Sequence, residues 1–246
     1  MENIINSMGL NLYLILLVYY TIGALLVFKS NKNQEASKRK QNWIKYFSYL
    51  LIMTTLFTAI LINPVIFQYI CVLIIVSGLI EIICNLIKKR EIILGILTIA
   101  IYLIISFGFY RFSSLNQNLL FFTLAIVTVF DSFSQLAGQV FGKRKLFPKI
   151  SPNKTIEGLI GGLIASMLTA LLIFRLLELS LFQSLFYGFG TASFAFIGDI
   201  LSSLCKRKLN IKDFSNILPG QGGIIDRFDS LMLGAIFMLL ITNLNV

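Results

Sequence analysis

The sequence contains no histidine, and this absence excludes two large groups of active sites. Imidazole is the usual acid–base group near neutral pH and a common zinc ligand, so histidine catalysis and most zinc chemistry are ruled out. Cysteine is scarce too, since Cys71, Cys84 and Cys205 are the three present and their spacing fits no metal site. Because Cys205 falls in a loop predicted to face a reducing cytoplasm, we expect no disulfide.

Charged residues are also few, at 13% of the chain, whereas 57% of residues are hydrophobic and the mean hydropathy is +0.86. This composition excludes an ordinary soluble protein. Apolar runs of about 20 residues recur, and each is long enough to cross a hydrocarbon core of roughly 30 Å. We therefore predict an all-α polytopic transmembrane helical bundle of about eight spans, at residues 9–28, 46–62, 65–87, 92–110, 118–140, 158–174, 181–204 and 230–243.

Acidic residues are outnumbered, with 11 Asp and Glu against 21 Lys and Arg, for a net charge of +10. Of the basic residues, only Arg111 and Arg175 fall outside alternate loops between the predicted spans. This asymmetry is the positive-inside pattern, so it predicts cytoplasmic basic loops and external termini. Topology and anionic lipid headgroups explain the basicity, and we expect no nucleic-acid partner. The basic loops are residues 29–45, 88–91, 141–157 and 205–229.

The chain divides into two regions by the content of its spans. Residues 1–120 are expected to form N-terminal transmembrane helices that face lipid and act as a frame. Residues 121–246 are expected to form the C-terminal catalytic region, with the cytoplasmic loops 141–157 and 205–229. The first apolar run is predicted to be a retained helix, because no basic segment precedes it and no small-residue cleavage site follows.

Glu81 is the one acidic residue within the spans of the frame, two turns inside the end marked by Lys88. A carboxylate at that depth is costly and usually faces a bundle interior or a wet cavity. Two interpretations stay open: the side chain snorkels toward Lys88, or it takes part in the site.

The fifth predicted span carries a polar face, because Asp131, Gln135 and Gly138 recur at helical spacing. Lipid does not solvate such a face, so it should look inward, either to line a site or to join helices. The loop after it holds residues 151–157, which have the pattern of a capped helix start. With Lys154, the free backbone N–H groups there would make a surface suited to phosphate.

The main candidate site lies between residues 198 and 229. Asp199, Ser203, Lys206 and Arg207 fall at i, i+4, i+7 and i+8 and form one stripe of a helix leaving the membrane. Mg²⁺ takes carboxylate oxygens and keeps positions open for substrate phosphates. Asp199 and Asp226, at the mouths of two neighbouring spans, are therefore predicted to bind the metal.

Basic and glycine residues surround this predicted metal pair. The cations could neutralise a polyphosphate, with arginine binding in bidentate fashion. The glycines would let backbone N–H groups approach an anion closely. The basic residues are Lys206, Arg207, Lys212 and Arg227, and the glycines are Gly220, Gly222 and Gly223.

Residues 203–229 resemble the signature of the CDP-diacylglycerol synthase (phosphatidate cytidylyltransferase) family. That signature runs Ser, two residues, Lys-Arg, four residues, Lys-Asp, then Pro-x-His-Gly-Gly and Asp-Arg-x-Asp. Upstream, Ser151-Pro152-Asn153-Lys154-Thr155 with Glu157-Gly158 is similar to the family's SPxKTxEG segment, and Gly198-Asp199 to its Gly-Asp. Matching positions in the signature are Ser203, Lys206, Arg207, Lys212, Asp213, Pro219, Gly222, Gly223, Asp226, Arg227 and Asp229.

Two positions depart from the family pattern. Gln221 stands where the family usually has His, and Cys205 replaces an aliphatic residue. Glutamine donates and accepts hydrogen bonds but does not titrate, so any proton role at this position would be lost.

The resemblance implies an integral-membrane, Mg²⁺-dependent enzyme that converts CTP and phosphatidate to CDP-diacylglycerol and pyrophosphate. A second cation beside the Mg²⁺ is an open alternative, and membrane lipids are expected partners, with a homodimer as a possible assembly. The expected location is a bacterial inner membrane with the site facing the cytoplasm. Catalytic roles are implied for Lys206, Arg207, Lys212, Asp213, Arg227 and Asp229, and substrate binding for Asp131, Ser151, Asn153, Lys154, Thr155, Ser203, Gly220, Gln221, Gly222 and Gly223.

Three alternatives remain at the level of sequence. A related CTP-using enzyme could act on another lipid phosphate or on a polyprenol. Intramembrane Glu81, Asp131 and Asp199 could instead belong to a transporter, although no inverted hydropathy repeat is visible. Gln221 could mark a degenerate member of the family.

Overall fold

The computed structural model describes residues 20–21, 23–25, 27–29, 31–32, 34–89, 92–218 and 221–244. From Ala36 onward the chain alternates long helices with short connections and forms a single β-hairpin within these residues. The elements are α1 (Ala36–Ile62), α2 (Pro64–Lys89), α3 (Ile92–Ser113), α4 (Gln117–Phe141), β1 (Lys145–Phe147), β2 (Ser151–Thr155), α5 (Ile156–Ile173), a 3₁₀ turn (Phe174–Leu177), α6 (Leu181–Lys208) and α7 (Ile225–Leu244).

Six of these helices, α1 to α6, are long and apolar enough to cross a membrane by length and composition. The predicted all-α polytopic architecture is therefore confirmed. Helix α7 has 20 residues but carries Asp226, Arg227 and Asp229 near its start, and it is not among the six. The first predicted span lies largely outside the described residues, so the total of eight and the sidedness of the loops stay predictions.

The prediction that residues 29–45 form a loop is wrong for its second half, because α1 already begins at Ala36. The sequence there, Ala-Ser-Lys-Arg-Lys-Gln, is rich in good helix formers. Helix propensity therefore carries α1 well beyond its apolar stretch, and at 27 residues it is longer than a bilayer core requires.

Close helix contacts depend on small residues. Helix α4 packs most extensively on α5, and α6 on α7. A Cβ atom added to Gly161 would lie 2.4 Å from the Cβ of Ala137, and one added to Gly138 would lie 3.7 Å from the Cα of Gly158. Gly138, on the predicted polar face of the fifth span, thus lies at a close contact between α4 and α5. Helix α7 contacts α2, α3, α4 and α6, so it packs among helices from both halves of the chain.

The segment before α5 is a strand rather than the predicted series of helix caps. Residues Ser151–Thr155 form β2, which pairs antiparallel with β1, and α5 begins at Ile156. Pro152 disfavours helical backbone at the residue before it, so the chain is extended there. Only Thr155 acts as the cap, and its hydroxyl accepts a 3.1 Å hydrogen bond from Gly158 N.

Replacing Gly161 by alanine should destabilise the fold by about 1–3 kcal/mol, because the new methyl group would meet a side chain that cannot rotate away. Thermal unfolding in detergent measures the change. The matched control is Gly95→Ala, where the nearest atoms are the flexible tip of Leu86 at 3.1 Å. Equal unfolding temperatures for both variants would contradict the tight α4–α5 contact.

Candidate active site

Asp226, in the first turn of α7, is the most heavily bonded residue of the predicted site. Its Oδ2 accepts hydrogen bonds from Phe214 N and Gly223 N, both at 2.9 Å. Its Oδ1 accepts from Lys206 Nζ at 2.5 Å, and its side chain is only 2% exposed. These bonds fold the loop between α6 and α7 (residues 209–224, the α6–α7 loop) back onto the start of α7.

Two members of the predicted stripe on α6 are in contact with each other, and a third bonds to α7. Ser203 Oγ lies 3.5 Å from Asp199 Oδ1, and Lys206 reaches Asp226. Lys154 of β2 forms an ion pair with Asp199 Oδ2, and its ammonium lies 5.0 Å from the ring centroid of Phe196. The β-hairpin thus places a second lysine, Lys154, beside Asp199 of α6.

Asp131 of α4 and Asp229 of α7 join Asp199 of α6. The three carboxyl groups are close enough for their charges to interact, so three helices converge on one polar region. Asp229 Oδ1 also accepts a 2.8 Å hydrogen bond from Ser230 N. Among the residues that the structure describes, no three Cys, Asp or Glu side chains are near enough to hold a metal by themselves.

The remaining charged residues of the signature lie toward the surface. Arg207 is exposed and donates to Ile150 O at 3.1 Å and to Ile211 O at 3.3 Å, so it ties the hairpin to the α6–α7 loop. Lys212 and Asp213 are exposed as well. Arg227 is half-buried, and its Nε has no hydrogen-bond partner within the described part of the chain.

The glycine turn contributes backbone rather than side chains. Gly222 has φ +87°, a left-handed conformation that favours glycine, and an added Cβ would lie 3.1 Å from Asp226 Oδ2. The adjacent Gln221 is buried and donates its amide to Lys45 O of α1 at 2.6 Å. Gln221 therefore tethers the turn to the frame. Gly220 lies outside the described residues.

The upstream motif joins the site only in part. Side chains alternate along β2, so Ser151, Asn153 and Thr155 face away from Lys154, which pairs with Asp199. Ser151 and Asn153 make no side-chain hydrogen bond within the ranges described, and the Thr155 hydroxyl caps α5. Lys154 is thus the residue of this motif that the fold brings to the carboxylates.

Two residues of α2 contact the α6–α7 loop: Glu81, for which a role in the site was left open, and Asn85, which sequence reasoning missed. Glu81 accepts hydrogen bonds from Ile224 N and Ile225 N, and Asn85 donates to Phe214 O. Their i, i+4 spacing on one helix face was the available signal. The contacts favour the interpretation that Glu81 serves the site over the one in which it snorkels.

Comparison with known proteins decides the family. The sequence model of the cytidylyltransferase family matches residues 4–244. The chain belongs to this family. Membership covers the frame as well as the signature region, and it confirms the resemblance inferred from residues 203–229.

Curated relatives share a shorter stretch with this cytidylyltransferase-family chain. A phosphatidate cytidylyltransferase of Bacillus subtilis is 36% identical over 146 residues, which are 56% of this chain and 54% of that protein. Phosphatidate cytidylyltransferases of Staphylococcus aureus and Staphylococcus epidermidis are 36% and 37% identical over 126 residues, 50% of this chain and 48% of each protein. The chain therefore matches about half the length of these relatives.

Replacing Lys206 by methionine should lower the free energy of unfolding by about 3–5 kcal/mol, because it leaves the buried carboxylate of Asp226 without its cation. Unfolding in mixed micelles measures the loss. Lys208→Gln is the matched control, since Lys208 is exposed in the same last turn of α6. A Lys206→Met protein as stable as the control would show that the pair is not formed.

Replacing Gln221 by histidine should leave turnover close to that of the parent chain, because an imidazole N–H is also able to donate to Lys45 O. Gln221→Leu removes the donor and should cost about 1 kcal/mol of stability. Steady-state rates and thermal unfolding of the two variants provide the measurement. A large gain in turnover for the histidine variant would contradict the tether and indicate a missing proton-transfer group.

Proposed function

We propose that this chain transfers the cytidylyl group of CTP to phosphatidate and yields CDP-diacylglycerol and pyrophosphate. The observation that carries the proposal is the convergence of Lys154, Lys206 and four carboxyl groups at the start of α7, inside a chain of the cytidylyltransferase family. The curated relatives named phosphatidate cytidylyltransferase supply the choice of lipid substrate.

The reaction needs alignment and charge neutralisation more than proton transfer. A phosphate oxygen of phosphatidate attacks the α-phosphorus of CTP, the bond from that phosphorus to the bridging oxygen breaks, and its electron pair leaves with pyrophosphate. A phosphate monoester has a second pKa of about 6, so the nucleophile is mostly dianionic at neutral pH. A site without histidine suits such a reaction, because no general base is required.

The cationic groups have different environments in the structure, so we assign them different roles in binding phosphate. Lys154 and Lys206 are engaged by carboxylates, so they sit where an incoming phosphate would exchange partners with them. The Nε of Arg227 is buried without a partner among the residues that the structure describes, and we propose it as a donor for a phosphate oxygen. The backbone around Gly222 and Gly223 offers close approach to the same anion.

The acidic residues of the site offer carboxylate oxygens, the ligand type that a hard divalent cation takes. The charges of Asp131, Asp199 and Asp229 repel one another, and a cation would relieve this repulsion. Mg²⁺ commonly uses one or two protein carboxylates and completes its shell with water and phosphate oxygens. We propose that Asp199 and Asp226 bind it, with Lys206 shifting from Asp226 to phosphate. The ion would supply charge neutralisation for the triphosphate and the departing pyrophosphate.

The proposed setting is the cytoplasmic face of a bacterial inner membrane. Its support is the concentration of basic residues in alternate loops and the bacterial origin of the relatives. Lipid substrate would then reach the site from the surrounding membrane. A homodimer belongs to the same proposal, and light scattering of the detergent-solubilised chain would measure it.

Replacing Asp226 by asparagine should reduce CDP-diacylglycerol formation by at least about a hundredfold, because the site loses a metal ligand and the partner of Lys206. The assay uses membranes containing the full chain, phosphatidate, Mg²⁺ and radiolabelled CTP, and follows the lipid product. Glu35→Gln, an exposed carboxylate-to-amide exchange outside the site, is the control. Near-parental product formation by Asp226→Asn would refute the metal assignment.

A further inference from the structure

A carboxylate of the N-terminal frame is buried against the α6–α7 loop. Glu81 of α2 is 3% exposed, and its Oε1 accepts hydrogen bonds from Ser215 Oγ at 2.5 Å and Ile224 N at 2.8 Å. Its Oε2 accepts from Ile225 N at 3.1 Å. One side chain thus holds both the first half of the loop and its junction with α7.

Asn85 extends this contact by one helical turn. Its amide group donates to Phe214 O at 2.6 Å and to Glu81 O at 2.8 Å. Both backbone polar groups of Phe214 are consequently bonded, since its N–H donates to Asp226 and its carbonyl accepts from Asn85. The α2 residues and Asp226 therefore bond to the same short stretch of loop, residues 214 and 215.

The backbone N–H groups at the start of α7 donate to two acidic side chains, those of Asp226 and Glu81. Asp226 reaches back to Gly223 N, and the next two amides, of Ile224 and Ile225, donate to Glu81. The fit is close, because a Cβ atom added to Gly223 would lie 2.7 Å from Glu81 Oε2. Moving Glu81 would therefore move the backbone that sets the position of Asp226.

The chemistry of the contact explains why a carboxylate is tolerated inside a membrane helix. Glu81 forms no ion pair with any lysine or arginine side chain that the structure describes. Two backbone N–H groups, a hydroxyl and the positive end of the α7 dipole stabilise its charge instead. A glutamine in its place would have an NH₂ group where Glu81 has its second acceptor oxygen, so at least one of the hydrogen bonds would be lost. An apolar residue would leave the hydroxyl and both backbone N–H groups without an acceptor.

We propose that Glu81, assisted by Asn85, is a positioning residue for the reaction at Asp226, acting through the backbone of residues 214–215 and 223–225. The effect on turnover rests on the proposed function, whereas the effect on the loop does not. A small displacement of reacting groups costs about a hundredfold in rate. Glu81→Ala should therefore lower kcat by between about tenfold and about a hundredfold, with a smaller change in the KM for CTP.

The test compares full-length Glu81→Ala and Glu81→Gln with Cys84→Ala, an exposed position on the same helix. Hydrogen–deuterium exchange follows the peptides that cover residues 209–228. Faster exchange there, with unchanged exchange in α4 and α5 and a reduced kcat, is the expected result for both Glu81 variants. If Glu81→Gln lies between the parent chain and Glu81→Ala in both loop exchange and kcat, this would support the arrangement in which both carboxylate oxygens of Glu81 accept hydrogen bonds.

A double-mutant cycle separates positioning from general stability. Ser215→Ala removes one donor to Glu81, so its effect on kcat should be non-additive with that of Glu81→Ala. Additive effects, or unchanged exchange in the loop, would overturn the proposal. If the parent chain forms no CDP-diacylglycerol, the proposed function fails, and the exchange measurement alone decides whether Glu81 positions the loop.

Discussion

The carboxylate of Asp226 is the contact on which the rest of the site depends. It lies in the first turn of α7, is buried, and accepts hydrogen bonds from a lysine ammonium and two backbone N–H groups. A buried carboxylate is stable only while its partners stay in place. The last turn of α6, the α6–α7 loop and the first turn of α7 are therefore held in one arrangement by this carboxylate.

Distant parts of the chain complete this geometry. The hairpin brings Lys154 to Asp199, α4 brings Asp131, and the frame contributes Glu81 and, through its backbone, Lys45. Helix α7 packs on helices from both halves, so the frame also supports the site. The division at residue 120 therefore describes composition, whereas the contacts that fix the loop cross it.

The sequence was sufficient to predict which residues share a helix face, because helical periodicity determines this. The spacing of Asp199, Ser203 and Lys206 places them on one face of any helix, whatever surrounds it. The cluster of glycines likewise indicates a turn, in which Gly222 adopts a left-handed conformation. The partners of these residues were beyond prediction, since they come from other elements. Lys154 reaches Asp199 only because residues 151–155 form a strand, and Gln221 bonds to a carbonyl 176 positions earlier.

The most direct test of the account follows the label of CTP through the reaction. Purified chain is incubated with phosphatidate, Mg²⁺ and CTP labelled at either the α- or the γ-phosphorus. Cytidylyl transfer predicts α-label in the lipid and γ-label in pyrophosphate, with both dependent on the metal. Recovery of γ-label in the lipid, with release of CDP, would identify a kinase and contradict the central claim.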